Sequence, residues 1–179
     1  MKRTLIALCI TCACFSLSSC DEDDIAGLLP DIDVNLKETE NIPVKVDQTD
    51  GEWVSFSSEA PISIVNNDTK DYLNKIKSVK LTKLSYKIIN FAGDDNGEVE
   101  ASFKAENQVS LTNAFKVKTA ADNGTVYEIK EVAELNRIAN ALKAGHTIMV
   151  KYEGNALCNN GPMDFVVEVQ YEAKVTINP

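Results

Sequence analysis

Seven side chains placed at every second position near the end of the chain fix its class. Phe165, Val167, Val169, Tyr171, Ala173, Val175 and Ile177 alternate with a mostly polar set that includes Glu168, Gln170, Glu172 and Lys174. Successive side chains of a strand point to opposite faces, so this spacing describes a long strand with one buried face. On a helix the same residues would be scattered around the axis. One strand cannot cover its own apolar face, so the chain must supply a sheet and a second layer.

Period two recurs along the sequence. Ile32, Val34 and Leu36 alternate with Asp33 and Asn35, and Ile42, Val44 and Val46 do so after Asn41. Pro43 has no N–H to donate, which points to an edge strand. Asp50 and Gly51 signal a turn, and 53–57 and 62–65 read as two further short strands. Val79 and Leu81 set one alternation, whereas Leu84, Tyr86 and Ile88 follow the other phase. Such a slip at Thr82 and Lys83 is what a β-bulge produces. Asp94, Asp95, Asn96 and Gly97 then predict a hairpin turn into Val99, Ala101, Phe103 and Ala105. Segments 109–115 and 147–154 complete the strands.

Two segments read as helices. Val132, Leu135, Ile138, Ala139 and Leu142 repeat every three or four residues, opposite Glu131, Glu134, Arg137 and Lys143, and Gly145 is placed to end that helix in the left-handed conformation. A short helix is expected over 69–77, from Tyr72, Leu73 and Ile76, with Asp68 as its N-cap. The expected fold is mostly β: an antiparallel β-sandwich with one crossover helix and a second short helix.

The first residues have a different character. Lys2 and Arg3 precede an apolar run from Leu5 to Phe15, broken only by Thr11. It is too short to span a bilayer, which takes roughly 20 apolar residues. A basic start, a short apolar run and small residues behind it make a secretory signal peptide. Cys9, Cys12 and Cys14 lie inside that run and read as small hydrophobes of a discarded segment.

Leu17, Ser18 and Ser19 before Cys20 resemble the lipobox of bacterial lipoproteins, apolar-small-small before a cysteine. The resemblance implies cleavage after Ser19 and a diacylglycerol on the Cys20 thiol. A thiolate is the side chain best suited to alkylation, and two or more acyl chains anchor stably where one does not. Asp21, Glu22, Asp23 and Asp24 follow at once. The run reads as a solvated tether. It is also similar to the acidic cluster behind the lipidated cysteine of surface-exposed Bacteroidota lipoproteins, which implies export to the exterior of the outer membrane. The enterobacterial pattern, in which Asp after the cysteine favours the inner membrane, implies the other destination. The expected division is a signal over residues 1–19, a lipidated cysteine and acidic linker over 20–31, and one sandwich domain over 32–179.

Loss of Lys2 and Arg3 with the signal moves the net charge from −9 to −11. An acidic domain repels phosphate backbones, so no nucleic-acid partner is expected. Of five cysteines, only Cys158 remains once the signal is removed and Cys20 is acylated, which excludes a disulfide scaffold. Cys158 is expected to be buried at a strand end.

Little in the remaining sequence points to catalysis. His146 is the sole histidine and sits just past a helix end, where it suits the helix dipole. G-x-S-x-G, H-E-x-x-H and a Gly-rich phosphate loop are all missing. Residues 94–98 offer oxygen ligands for calcium without the EF-hand spacing, and a solvated turn is the preferred reading; the same holds for Asp47, Asp50 and Glu52. No metal or other cofactor is expected. Trp53, the one tryptophan, is either a core aromatic or, with Tyr127 or Tyr152, a sugar-stacking platform. The expectation is therefore a lipid-anchored envelope protein with a non-catalytic binding or structural role. Its partners would be membrane lipid, through Cys20, and an envelope protein or glycan. A glycan- or lipid-binding accessory protein is the alternative, and a hydrolase the further one.

Overall fold

The computed structural model describes residues 30–178. Eight strands form two antiparallel four-stranded sheets packed face to face. They are β1 (Ile32–Val46), β2 (Val54–Ser63), β3 (Ile76–Gly93), β4 (Glu98–Ala105), β5 (Gln108–Lys116), β6 (Val126–Glu128), β7 (Thr147–Leu157) and β8 (Met163–Ile177). One sheet has the order β1-β8-β3-β6 and the other β2-β7-β4-β5. The chain is thus a β-sandwich, as its alternation requires. Strand pairs nest like one long hairpin, β1 with β8, β2 with β7, β3 with β6 and β4 with β5, rolled until β3 meets β8 and β4 meets β7. That is the jelly-roll arrangement.

β8 alternates without a break over its whole length, every inner residue buried and every outer one half-buried except the exposed Asp164. Its inner residues meet those of the other sheet in a core rich in aromatic rings. Tyr86 stacks on Phe103 at 5.5 Å, and Tyr152 meets Phe165 edge-on at 6.4 Å. Such pairs each add about 0.5–1.5 kcal/mol to the burial of their area. Tyr171 on β8 donates from its hydroxyl to the Ser63 carbonyl on β2 at 2.8 Å, tying one sheet to the other.

Pro43 and Pro61 both lie in outermost strands, β1 and β2, where a lost N–H breaks no ladder. The phase slip is a bulge: Leu81 opposes Ala173 and Lys83 opposes Glu172, which leaves Thr82 as the extra residue. Expectation and structure part in other places. Segments 32–36 and 42–46 are one strand, and so are most of 53–57 and 62–65, because each pair shares a single partner, β8 or β7.

The predicted hairpin from β3 into β4 does not form. β3 is paired on one side by β8 and on the other by β6, so the turn after Gly93 carries the chain across to the opposite sheet. The short helix is a 3-10 helix, Lys70–Lys75, without a side-chain cap. Asn66 Oδ1 accepts from the N–H groups of Asp68 and Thr69, so a local turn replaces the expected Asp68 cap.

A six-residue helix, α1 (Val117–Asp122), was not foreseen. The longer helix, α2 (Val132–Gly145), lies on the crossover between β6 and β7 and buries Ile138, Ala139 and Leu142. Val132 was expected on that face and is exposed. Gly145 completes the helix, and His146 takes the left-handed conformation at φ 61°, its N–H donating to the Leu142 carbonyl at 2.7 Å. Among the described residues no helix is long and apolar enough to cross a membrane.

Candidate functional site

The strand registers give the sandwich two unlike ends. At one end Ile32, Ile76 and Ile177 lie side by side where the chain enters from Pro30. At the other end Val46, Met163 and Gly93 align in one sheet, and Val54, Ala156, Glu98 and Lys116 lie close together in the other. The loops β1–β2, β3–β4 and β7–β8 therefore gather at the end far from Pro30. Loop clusters on a rigid sandwich are common places for recognition.

Hydrogen bonds join these loops into one body. Asp94 is only 5% exposed. Its carboxylate accepts from the Asn160 N–H at 3.0 Å, the Asn160 side-chain amide at 3.2 Å and the Asn96 N–H at 3.0 Å. The Asp94 N–H donates to the Pro162 carbonyl. The N–H groups of Asn160 and Asn96 hold this carboxyl below the usual aspartate range. Asn159 receives the Gly51 N–H at 2.7 Å on its side-chain oxygen and the Gln48 amide at 2.9 Å on its carbonyl. Thr49 and Cys158 exchange two bonds of 3.0 Å each.

Cys158 is buried just beyond β7, as expected, with its thiol directed to the Asp47 carbonyl at 3.2 Å. Burial pushes this thiol's pKa up, which removes the thiolate character a nucleophile needs. His146 lies at the opposite end, where its carbonyl accepts from the Ile64 N–H. The two residues a thiol–imidazole pair would require are thus kept apart. Among the described residues no three or more His, Cys, Asp or Glu side chains are grouped so as to hold a metal ion. Asp94 belongs to a buried interloop tie with its oxygens facing N–H donors, which corrects the solvated-turn reading for that residue, whereas Asp95 and Asn96 of the same turn are exposed.

Trp53 leaves this loop cluster at the start of β2 and is 43% exposed. It borders an open groove of about 250 Å³ with Glu98 and Glu100 of β4 and Phe115 and Lys116 of β5. Lys116 Nζ stands 4.0 Å from Glu98 Oε1. The proposed aromatic companions are elsewhere. Tyr152 is fully buried, and Tyr127 is stacked between Tyr86 and Phe115 at 5.0 Å from each. Trp53 was legible in the sequence, whereas the carboxylates and the lysine beside it come from distant strands and carried no local signal. The other principal hollows also open to solvent, over 55–57 with 153–155, over 43–45 with 55–58, and over the outer face around Lys37 and Lys80. Cys20 and the acidic residues Asp21, Glu22, Asp23 and Asp24, with the whole signal segment, lie outside the described residues.

The sequence matches no protein-family model and no curated protein. Among solved structures it is similar to a decameric BFDV capsid protein, at 7% identity and a TM-score of 0.44, over 80% of this chain and 99% of that one. It is also similar to the desmodium yellow mottle tymovirus structure, at 14% identity and a TM-score of 0.37, over 99% and 96% of the two chains. Turnip yellow mosaic virus gives 10% identity and a TM-score of 0.35, over 79% and 94%. These likenesses are too distant to bear on what this chain does.

Proposed function

We propose that this is a lipid-anchored protein of the cell envelope, of the kind resembling small Bacteroidota surface lipoproteins, which binds a partner rather than transforming a substrate. The supporting observation is the polarity of the sandwich. The chain enters at one end, and the hydrogen-bonded loop cluster with Trp53 occupies the other, at the far end of the 15-residue strand β1. At about 3.3 Å per residue β1 sets the loops roughly 45 Å from the point of entry. A tether from acylated Cys20 would hold the sandwich by its entry end and leave the loops facing outward, towards an envelope protein or glycan. The net charge agrees with a partner other than nucleic acid.

Cell fractionation tests the anchor. Cys20→Ala should move the protein from the membrane fraction to the soluble one, and retention in the membrane would overturn the lipidation. Replacing Asp21, Glu22, Asp23 and Asp24 by their amides should protect the protein from protease added to intact cells. Unchanged accessibility would remove the acidic run's role in export.

A further inference from the structure

We infer that the groove beside Trp53 is a binding site for a neutral saccharide. The inference rests on the binding role proposed above and names its ligand. A sugar ring presents C–H groups on its faces and hydroxyls around its rim, so its receptor needs an exposed aromatic plane together with both acceptors and donors. Trp53 supplies the plane. Glu98 and Glu100 supply acceptors, and Lys116 a donor, along the same groove. Glu100 is exposed and makes no hydrogen bond or ion pair among the described residues, so its oxygens are open to a ligand. Lys116 is half-exposed and reaches Glu98 only at 4.0 Å, a loose pair that hydroxyl groups can enter.

The charges select among occupants. Two carboxylates in a strongly acidic domain disfavour an anionic polymer. A cationic side chain would also stack on the indole, but it offers no acceptor to the Lys116 ammonium on the same groove, and polylysine is the comparator that tests it. A neutral polyhydroxylated ligand uses every group present. The groove is shallow and open, of a size to seat a ring or two of a longer chain without enclosing it.

Trp53 is the chain's only tryptophan, so its fluorescence reports on the site directly. The full-length lipoprotein in detergent is titrated with neutral polysaccharides (a glucan, a mannan, a xylan and a galactan), with polygalacturonate and polylysine as charged comparators. At least one neutral polymer should give a saturable change in emission and retard the protein in an affinity gel. Trp53→Ala, with an unchanged far-UV circular dichroism spectrum, should lose about tenfold in retardation, the equivalent of ~1.4 kcal/mol. Glu100→Gln should weaken it several-fold and keep the fluorescence response. Binding by no neutral polymer, retardation equal in wild type and Trp53→Ala, or stronger binding of either charged comparator would each overturn the assignment. None of these readouts depends on where Cys20 is anchored, so a failure here is distinct from a failure of the fractionation.

Discussion

Replacing Tyr152 by Phe should make the protein more stable. Tyr152 sits on β7 in the middle of the sandwich, fully buried, with Phe56, Tyr86 and Phe165 around its ring at 5.7, 5.5 and 6.4 Å. Its hydroxyl has no hydrogen-bond partner among the described residues. The neighbouring Tyr86 hydroxyl accepts from the Asn113 side-chain amide at 3.0 Å and keeps its own proton available to Tyr152, but the two hydroxyls do not close a full hydrogen bond. A buried polar group without a partner costs about 1–3 kcal/mol. Phe keeps the ring and all three aromatic contacts and removes only the stranded oxygen. Part of the gain is offset by the small void left behind, so about 1–2 kcal/mol should remain. For a domain of this size that raises the melting temperature by roughly 3–6 °C. Thermal and urea unfolding followed by far-UV circular dichroism would measure it, with Tyr86→Phe as the control expected to lose stability through its Asn113 bond. A loss of stability in Tyr152→Phe would refute the reasoning, since it would show that the hydroxyl is bonded.

Two further outcomes follow from the loops and strands. Gly154 lies where an added Cβ would come within 2.1 Å of the Glu100 carbonyl oxygen, so Gly154→Ala should cost about 1–3 kcal/mol, read as a lower urea midpoint at an unchanged slope. Asp94 has a carboxyl pKa held below its unfolded value of about 3.9. Its contribution is complete above that value and is lost as pH falls towards the lowered folded one. Asp94→Asn should therefore be less stable than wild type at pH 7 and lose less between pH 5 and pH 3; parallel pH profiles would contradict the assigned role.

What the sequence revealed depended on the range of the interaction. β8 was legible because alternation is an intrinsic property of a strand with one buried face. The bulge at Thr82 was legible for the same reason, as a change of phase. The turn at Asp94 was legible as a turn, but the same residues serve a hairpin or a crossing between sheets. Only the bonds to Asn160 and Pro162 decide which. α1 has six residues and two buried side chains, Val117 and Ala120, too few to display a period. At the end of α2 the glycine rule pointed to Gly145, yet the chain places the left-handed residue one position later, at His146. The Trp53 groove is the clearest case. Its other walls come from residues some 45 to 63 positions beyond Trp53 in the sequence, and only the pairing of β2, β7, β4 and β5 brings them level.

The nested order of the strands also bears on how the protein is made. Among the described residues β1, the first strand, has its one ladder partner in β8, the last, and Thr176 donates to Asp33 at a sequence separation of 143. Contacts of such long range close late, because the loop entropy must be overcome before they form. Until β8 arrives, β1 has no ladder partner for its alternating apolar residues, and β3, which pairs with the other side of β8, lacks that ladder too. A chain tethered through Cys20 would hold that open strand beside the membrane throughout. Its conversion to a folded domain would then be set by delivery of the final fifteen-residue strand rather than by anything near the anchor.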